Sequence, residues 1–407
     1  MTRDERQAIT MQKFFQCGGR GICLAGVATG KTRIATNIIT KMRSKKSDLK
    51  VTVLVPGRTL ISQWKKNLKD CNLENIEVRT FKSLEKELVN TDLLIIDELH
   101  AALSKNGITN LVKSKFPLFL GLTATINRID ENEKYILQQF PIFDTITKEE
   151  ALENGWIAKD KIYKVEIETD LTEYNIINEQ YQHHFSFFNY DFHTVNKILK
   201  EGFKSFYVRN LSQQYRSSIT DIMLHATNTM RLINERKSWL YNHPTKVAIT
   251  DLIIQKRKNK KILTFSQSQQ IANSLPYGEV VHSGMTPKKQ KEIINNFLEQ
   301  ESGVLHSVKS LEAGFNDERL SVGIATSFNS SKISRTQSAG RIERAYGDKE
   351  SEFFNLVIKG TIENSWFSKA NAGVDYITIN EKELVDILDN KEIRFRKKKK
   401  DDFEYIF

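Results

Sequence analysis

The chain has 407 residues, of which 39% are hydrophobic and 27% are charged. This is the composition of a globular protein rather than of a disordered or membrane-embedded one, and the length suffices for two or three domains. The 61 Lys and Arg residues outnumber the 50 Asp and Glu residues, which gives a formal charge of +11. Such a surplus suits a polyanionic partner, although a basic surface that only confers solubility is the alternative.

The cysteine content and the distribution of apolar residues argue against several classes of protein. Cys17, Cys23 and Cys71 form no CxxC pair and no cluster with histidine, so the sequence predicts neither a zinc site nor a disulfide framework. No apolar stretch approaches the ~20 residues of a membrane span, and the N-terminus lacks the apolar core of a signal peptide. We therefore expect a cytoplasmic protein that does not contact a membrane.

Two parts of the chain alternate short apolar runs with longer amphipathic stretches, which is typical of a parallel sheet wrapped by helices. Within residues 1–150 the predicted strands are Gly21–Ala25, Val51–Val55, Leu93–Ile96 and Phe116–Leu120. Within residues 151–365 they are Ile262–Phe265, Val280–His282, Val304–Ser307, Val322–Thr326 and Phe353–Ile358. The predicted fold class is therefore α/β, with two doubly wound parallel sheets.

Two regions differ from this alternation. Residues 171–245 contain few glycines or prolines and show helical periodicity, which predicts a helical insertion in the second domain. Just before it, Tyr163, Val165 and Ile167 alternate with charged residues and predict a strand of the second domain. Residues 366–407 are assigned to a C-terminal extension with a basic tail.

The segment after the first predicted strand has the composition and context of a phosphate-binding loop. Backbone N–H groups around Gly26, Thr29 and Gly30 and at the start of the following helix can surround phosphate oxygens. Lys31 can reach the β- and γ-phosphates, and the Thr32 hydroxyl can bind Mg²⁺. The sequence therefore predicts a site for ATP and Mg²⁺.

Two carboxylates follow another apolar strand and complete this predicted site. Asp97 and Glu98 come directly after Leu93–Ile96, at a strand end that faces the ligand crevice of an α/β domain. Asp97 can hold Mg²⁺ through water, and Glu98 can orient and deprotonate the attacking water. Alone, such a pair is usually a solvated strand end, but its occurrence with the phosphate-binding loop favours a nucleotide site.

Further segments resemble the motifs of the superfamily 2 helicases and translocases, in the order that this family shows. In the first half, VPGRTLISQW (55–64) resembles motif Ia, RTFKSL (79–84) motif Ib and GLTAT (121–125) motif III. In the second half, ILTFS (262–266) resembles motif IV, HSGMT (282–286) the backbone-contacting segment after the next strand, SLEAGFND (310–317) motif V and QSAGRIER (337–344) motif VI. The resemblance covers residues 7–359 apart from the insertion.

This resemblance implies two tandem RecA-like domains and a role for individual residues. The residues implied to contact the nucleic acid are Pro56, Arg58, Thr80, Phe81, Ser266, His282, Ser283 and Ser310. Those implied to couple the ATP state to domain closure are His100, Thr123 and Thr125. In motif V, Gly314 and Asn316 are candidate nucleotide contacts, although Asn316 stands where the family usually has aspartate and therefore lacks its charge.

Motif VI supplies the last candidate catalytic residues, Gln337, Arg341 and Arg344. Two arginines three residues apart lie on one helix face and can both meet an anion. The resemblance implies that they reach the γ-phosphate across a cleft. Because they lie in a different domain from Lys31, hydrolysis is expected to require closure of the two domains.

Gln7 has two interpretations. The resemblance implies an adenine contact near the N-terminus, and Gln7 is the candidate. The alternative is a glutamine on the exposed face of a helix.

The residues of three motifs distinguish between branches of the family. The forms DELH (97–100), TAT (123–125) and QxxGRxxR (337–344) resemble the DNA translocase branch, with its UvsW, RecG and XPB-like proteins, more than the DEAD-box RNA helicases. We therefore expect movement on single-stranded, forked or branched DNA, with unwinding or branch remodelling. An RNA helicase, a motor subunit of a larger restriction or repair complex, and a binding protein with an inactive ATPase are the alternatives; any protein partners stay unassigned.

The predicted insertion is rich in aromatic residues interspersed with lysine and arginine. The aromatic residues are Tyr174, Tyr181, Phe185, Phe187, Phe188, Tyr190, Phe192, Phe203, Phe206 and Tyr207. They can stack on unpaired bases beside a basic track, but aromatic residues on helices more often form a core, and the core is favoured here. The basic run 394–400 is open to similar alternatives, a solvated tail or a phosphate contact.

Overall fold

The computed structural model describes residues 1–26, 29–84, 86–102, 105–124, 126, 133–308, 317–327, 350–372 and 374–391. Several predicted site residues lie outside these ranges, namely Thr125, Ser310, Gly314, Asn316, Gln337, Arg341 and Arg344. The basic run 394–400 also lies outside them. None of the described helices is both long and apolar enough to cross a bilayer.

The first sheet is formed by strands that are all parallel. They are β1 (Arg20–Ala25), β2 (Val51–Val55), β3 (Glu77–Thr80), β4 (Leu93–Asp97), β5 (Leu118–Thr123) and β6 (Ile142–Ile146). Their order across the sheet is β3-β2-β4-β5-β1-β6. Every residue of β2 and β4 is buried, as expected for central parallel strands covered on both faces. The flanking helices are α1 (Arg3–Gln16), α2 (Lys31–Arg43), α3 (Arg58–Asp70), α4 (Phe81–Leu84), α5 (Leu99–Ala102), α6 (Lys105–Lys113), α7 (Glu133–Gln139) and α8 (Lys148–Glu153).

The second sheet is likewise parallel. Its strands are β7 (Asp160–Ile167), β8 (Lys261–Ser266), β9 (Glu279–His282), β10 (Gly303–Val308), β11 (Leu320–Ala325), β12 (Ser351–Ile358) and β13 (Ile377–Asn380), in the order β13-β7-β12-β11-β8-β10-β9. The helices α13 (Pro244–Lys256), α14 (Gln269–Ser274), α15 (Pro287–Glu299), α16 (Ile362–Ala370) and α17 (Glu381–Leu388) belong to this half of the chain. The prediction of two parallel α/β sheets is therefore confirmed, as is the assignment of the strand around Val165 to the second sheet.

Residues at the predicted domain limits pack as follows. Trp156 and Ile157 lie in the hydrophobic cluster of the first sheet, whereas Ile162 packs with the second sheet. After residue 366, β13 pairs with β7, and Leu384 packs into the core beside it. The predicted C-terminal extension therefore adds a strand and a helix to the second sheet, while the division at residues 150 and 151 stays a prediction.

The helical insertion between β7 and α13 has a hydrophobic core of its own. Its helices are α9 (Thr172–Ser186), α10 (Phe192–Glu201), α11 (Phe206–Tyr215) and α12 (Ile219–Tyr241). All three aromatic residues of α9, Tyr174, Tyr181 and Phe185, are buried as predicted. The expectation of a core is wrong, however, for four aromatic residues that are exposed, namely Tyr190, Phe192, Phe203 and Phe206.

A buried charge network attaches α1 to the edge strand β6. The Arg6 guanidinium donates to Asp144 Oδ2 at 2.6 Å, and Thr10 Oγ1 and Lys13 Nζ donate to the same carboxylate at 2.7 and 2.6 Å. Burial disfavours the charge on Asp144, but these donors, Arg6 above all, outweigh it and lower the pKa of Asp144 to about 2. The network fixes α1 beside the carboxyl end of β1.

Replacing Asp144 by asparagine should destabilise the protein in a pH-dependent way. Because the folded-state pKa lies below the unfolded value of about 3.9, the stabilisation is present above about pH 4 and is lost as the pH falls towards 2. We expect Asp144→Asn to lower the free energy of unfolding at pH 7 by about 2–4 kcal/mol, and the deficit should shrink below pH 4.

Urea unfolding at several pH values measures this effect. Asp4→Asn is the control, since Asp4 is an exposed carboxylate on the same helix. A deficit for Asp144→Asn that is small, or equal at pH 7 and pH 3, would show that the carboxylate does not anchor α1.

Candidate functional site

The parallel order of the first sheet brings the predicted nucleotide residues to one edge. The loop that precedes Lys31 follows β1, and Asp97 ends β4. β5 lies between these two strands, with Leu24 of β1 in register with Thr123 and Asp97 in register with Leu122. All three strands therefore present their carboxyl ends to the same crevice, as in other open parallel sheets.

The described part of the predicted phosphate-binding loop is held by a close polar contact. The Thr29 hydroxyl donates to the Gly26 carbonyl at 2.7 Å, and the Thr29 side chain is buried. Gly30 has a φ of 91° and caps the N-terminus of α2, a conformation that favours glycine. Lys31 and Thr32 occupy the first turn of α2, where backbone N–H groups point away from the helix.

Gln7 is buried against this loop, with 2% of its surface exposed. Its Nε2 donates to the Thr29 carbonyl at 3.1 Å. Its Oε1 is buried without a hydrogen-bond partner among the described residues. The interpretation of Gln7 as an exposed helix glutamine is therefore wrong, because α1 packs this face onto the loop. A buried amide oxygen free to accept a bond fits a ligand that carries an N–H donor.

Lys31 and Glu98 form an ion pair with 2.8 Å between Nζ and Oε1. Burial acts to lower the pKa of Lys31, but the negative charges of Glu98 and Asp97 outweigh it, and the pKa is raised above its usual value. Lys31 is therefore a fixed positive charge next to the predicted general base. Glu98 has a φ of 53°, an uncommon conformation for a residue with a side chain.

Both oxygens of the Asp97 carboxylate have donors. Trp64 Nε1 donates to Oδ2 at 2.9 Å, and the Glu98 backbone N–H donates to Oδ1 at 3.0 Å. Burial and the neighbouring Glu98 charge raise the pKa of Asp97. Trp64 was not among the predicted site residues. A tryptophan on a helix of the motif Ia segment nevertheless offers a signal, since a buried indole N–H needs an acceptor.

His100 extends the network towards β5. Its Nδ1 lies 2.9 Å from the Thr123 hydroxyl and 3.6 Å from Glu98 Oε2. Both His100 and Thr123 are buried. Two residues predicted to couple the ATP state to closure thus lie in direct contact with each other and next to the predicted base.

These residues fit Mg²⁺ and a nucleotide phosphate. Asp97 and Thr32 offer the oxygen ligands that Mg²⁺ prefers, and each Asp97 oxygen keeps acceptor capacity beyond the bond that it already makes. A Cβ atom at Gly30 would lie only 2.2 Å from Gln7 Nε2, so a side chain there would displace the Gln7 amide. Lys31 offers a positive charge that suits a phosphate group.

The predicted nucleic-acid contacts of the first domain also lie at the carboxyl edge of the sheet. Pro56 is exposed directly after β2, and Arg58 begins α3, its side chain lying outside the described part. Thr80 ends β3, and Phe81 begins α4, both half-buried. Their contact with nucleic acid stays a prediction.

The second domain presents its predicted contacts unequally. Ser266 is buried, with its hydroxyl 2.7 Å from the Thr326 hydroxyl. His282 is half-buried and holds the following loop, because its Nδ1 accepts a bond from the Gly284 N–H at 3.2 Å. Ser283 is exposed beside it. Of these side chains, Ser266 in this conformation faces the protein interior rather than a ligand.

Two family models match separate parts of the chain. Residues 10–89 match the model described as "Type III restriction enzyme, res subunit", and residues 245–346 match "Helicase conserved C-terminal domain". Together, these matches support an assignment to the superfamily 2 helicases. A match to helicase domains implies the use of ATP, generally together with Mg²⁺. The comparison with curated proteins found no significant match.

Solved structures with a similar fold include a helicase domain and a DNA-bound restriction-modification enzyme. The crystal structure of the Pyrococcus furiosus Hef helicase domain has a TM-score of 0.58 and 15% identity, over 89% of this chain and 97% of that one. The ATP-dependent Type ISP restriction-modification enzyme LlaBIII bound to DNA has a TM-score of 0.56 and 13% identity, over 91% of this chain and 29% of that one. At these identities the likeness concerns the fold, and it confirms tandem RecA-like domains.

Substituting Gly30 should disrupt the packing between the loop and α1. We expect Gly30→Ala to cost about 1–3 kcal/mol of stability because alanine must adopt a positive φ. Because the new methyl group also displaces Gln7, affinity for ADP, measured by isothermal titration calorimetry, should fall by about tenfold or more.

Gly57→Ala is the matched control, since Gly57 has an extended backbone and open space around it. Stability of this control should change by less than about 1 kcal/mol. Equal ADP affinity in both variants would contradict the role of Gly30.

Proposed function

We propose that the chain is an ATP-driven motor that moves on DNA and uses this movement to unwind or remodel forks and branches. The observation that supports it best is the ion pair between Lys31 and Glu98, at 2.8 Å, beside the buried Asp97 carboxylate. A phosphate-binding lysine, a metal-binding carboxylate and a general base meet there at one edge of a parallel sheet. The chemistry that suits them is hydrolysis of a nucleoside triphosphate.

In this proposal each residue at the edge has one task. Lys31 binds the β- and γ-phosphates. The arriving phosphate therefore competes with Glu98 for the Lys31 ammonium group. Glu98, once released, orients the attacking water and takes its proton. Thr32 and Asp97 would hold Mg²⁺, which would supply positive charge to the phosphate oxygens. Gln7 accepts a hydrogen bond from the adenine ring of the nucleotide through Oε1.

The second domain completes the site on closure. Gln337, Arg341 and Arg344, with Gly314 and Asn316, are proposed to approach the nucleotide from this domain. Arginines supplied across a cleft stabilise transition-state charge only when the domains close, so hydrolysis becomes linked to a change of grip on the strand. His100 and Thr123, in contact at 2.9 Å, are proposed to transmit that change together with Thr125.

The proposed contact with DNA has two parts. Pro56, Arg58, Thr80 and Phe81 lie where the first sheet ends, and Ser266, His282 and Ser283 lie at the carboxyl ends of strands β8 and β9 of the second. Ser310 is included from the sequence, and Ser266, which is buried in this conformation, would have to become accessible to touch DNA. The helical insertion adds exposed aromatic rings, with Phe203 and Phe206 exposed by 56% and 77%. Lys197, Lys200, Lys204 and Arg209 are close to these rings in sequence. Rings among cations suit unpaired bases beside a phosphate backbone.

A measurement of phosphate release tests the motor. We expect turnover by the wild type to rise most with forked or branched DNA, less with single strands or duplex, and least with RNA. Glu98→Gln should lower kcat by about 10²-fold or more, because it removes the base while retaining most of the packing. Binding of ATP should persist in this variant, whereas Lys31→Ala should weaken it.

The control for charge removal is Glu74→Gln, since Glu74 is exposed in the same domain. Stimulation by RNA alone would move the protein to the RNA helicases. Turnover in Glu98→Gln at the wild-type rate would exclude the proposed base.

A motor subunit of a larger complex is the second candidate. It is favoured by the match of residues 10–89 to the res subunit model and by the fold shared with LlaBIII, of which this chain spans 29%. It differs from the first candidate in one observable, since turnover would stay low with every nucleic acid until a partner protein is added.

The insertion gives a separate test of DNA binding. Phe206→Ala should weaken binding of single-stranded and forked DNA by about tenfold, since stacking of one base on an aromatic ring contributes about 1–3 kcal/mol. Fluorescence anisotropy measures it. Leu224→Ala is the control, because Leu224 is another exposed apolar residue of the insertion, on α12. Equal affinities of the two variants would exclude Phe206 from the DNA contact.

A further inference from the structure

Trp64 joins two elements that the proposed mechanism uses for different purposes. It lies on α3, which begins at Arg58, two residues after the exposed Pro56. Its indole Nε1 donates to Asp97 Oδ2 at 2.9 Å, at the end of β4. The residues before it are proposed to contact the DNA strand, and Asp97 is proposed to hold Mg²⁺. One hydrogen bond therefore links the two regions.

Breaking the hydrogen bond between Trp64 and Asp97 costs free energy, because both groups are buried. Trp64 is 1% exposed and Asp97 is 5% exposed, so water has little access to either group. The indole N–H is only a donor, and a buried donor that loses its acceptor costs about 1–3 kcal/mol. A shift of α3 relative to β4 must therefore either carry the carboxylate with it or leave both groups unsatisfied.

The carboxylate is also fixed from its other side. The Glu98 backbone N–H donates to Oδ1 at 3.0 Å, so each oxygen has one donor from a different element. These two bonds together set the rotation of the carboxylate plane. The remaining acceptor capacity of the oxygens is then available in one orientation only. Loss of the indole bond would leave the carboxylate free to rotate.

We propose that Trp64 is a positioning residue that orients Asp97 for Mg²⁺ and transmits movement of α3, when it engages the DNA strand, to the metal site. This inference rests on the proposed function. It adds a path by which binding of nucleic acid changes the ATPase rate, from the segment at Pro56 through α3 to Asp97.

Trp64→Phe separates this role from a purely structural one, since phenylalanine retains most of the apolar ring and lacks the N–H. The matched control is Trp156→Phe. Trp156 is buried in the same hydrophobic cluster, and its indole donates to the Met1 carbonyl at 3.3 Å, away from Asp97. Both variants lose one indole hydrogen bond beside the core of the first sheet.

Isothermal titration calorimetry of ADP binding, with Mg²⁺ and with EDTA, tests the orientation of Asp97. We expect Trp64→Phe to weaken binding by about tenfold in Mg²⁺, as for the loss of a hydrogen bond to a charged group, and to match the wild type in EDTA. Trp156→Phe should match the wild type in both. Equal losses in Mg²⁺ and EDTA, or no loss in either, would overturn the proposal.

The ATPase rate tests the transmission. Trp64→Phe should lower the factor by which forked DNA stimulates turnover, more than it lowers turnover without DNA. An unchanged factor would overturn the transmission from α3. If DNA does not stimulate the wild type, the proposed function fails instead, whereas the Mg²⁺-dependent difference in ADP binding is independent of DNA.

A measurement on the wild type covers the case in which Trp64→Phe does not fold. The chain has four tryptophans, so ¹⁵N-indole labelling gives four N–H signals. Phenylalanine substitutions of Trp156, Trp239 and Trp366 assign the fourth signal to Trp64. We expect Mg²⁺, added to the protein with ADP, to shift the Trp64 signal and not that of Trp156. A Trp64 signal that does not respond to Mg²⁺ would overturn the proposal.

Discussion

The contact between Lys31 and Glu98 depends on the order of the strands. Lys31 follows β1 and Glu98 follows β4, and the two meet at 2.8 Å because only β5 separates these strands and all three run in one direction. An antiparallel neighbour would send one of the two loops to the opposite edge. The His100 contact with Thr123 at the end of β5 depends on the same order. The geometry of the site therefore depends first on the order and direction of the strands, and only then on the conformation of the loops.

Each sheet also uses a buried ion pair to hold a helix in place. In the first, Arg6 and Asp144 attach α1 to β6, which brings Gln7 against Gly30. In the second, Lys246 of α13 and Glu363 of α16 meet at 2.7 Å with no exposed surface. Burial lowers the pKa of Lys246 and raises that of Glu363, so the pair compensates a large desolvation cost rather than adding much net stability. Its geometric effect is to fix the orientation of the two helices.

The amino-acid sequence predicts the strands and the nucleotide residues where one physical signal dominates. Buried parallel strands such as Leu93–Ile96 are continuous apolar runs, and the phosphate-binding loop is short and local. Strand β3, with the polar sequence EVRT, and β6, which contains Asp144, lack that signal and were not predicted. The burial of Gln7 and the bond between Trp64 and Asp97 also escaped prediction, because each depends on packing between distant segments. Such contacts follow from tertiary structure, and spacing along the chain does not encode them.

The two ends of the helical insertion lie together. Glu173, near its start, accepts a hydrogen bond from Trp239, near its end, at 2.9 Å, and both Tyr174 and Leu240 pack into the core of the second sheet. The residues between them have a separate core, which includes Val195, Val208 and Ile222. A segment that leaves and re-enters a domain at one point can be lengthened, shortened or exchanged with little effect on its host. The insertion is thus a part of the chain that can change in length and sequence while the two sheets and the candidate nucleotide site stay the same.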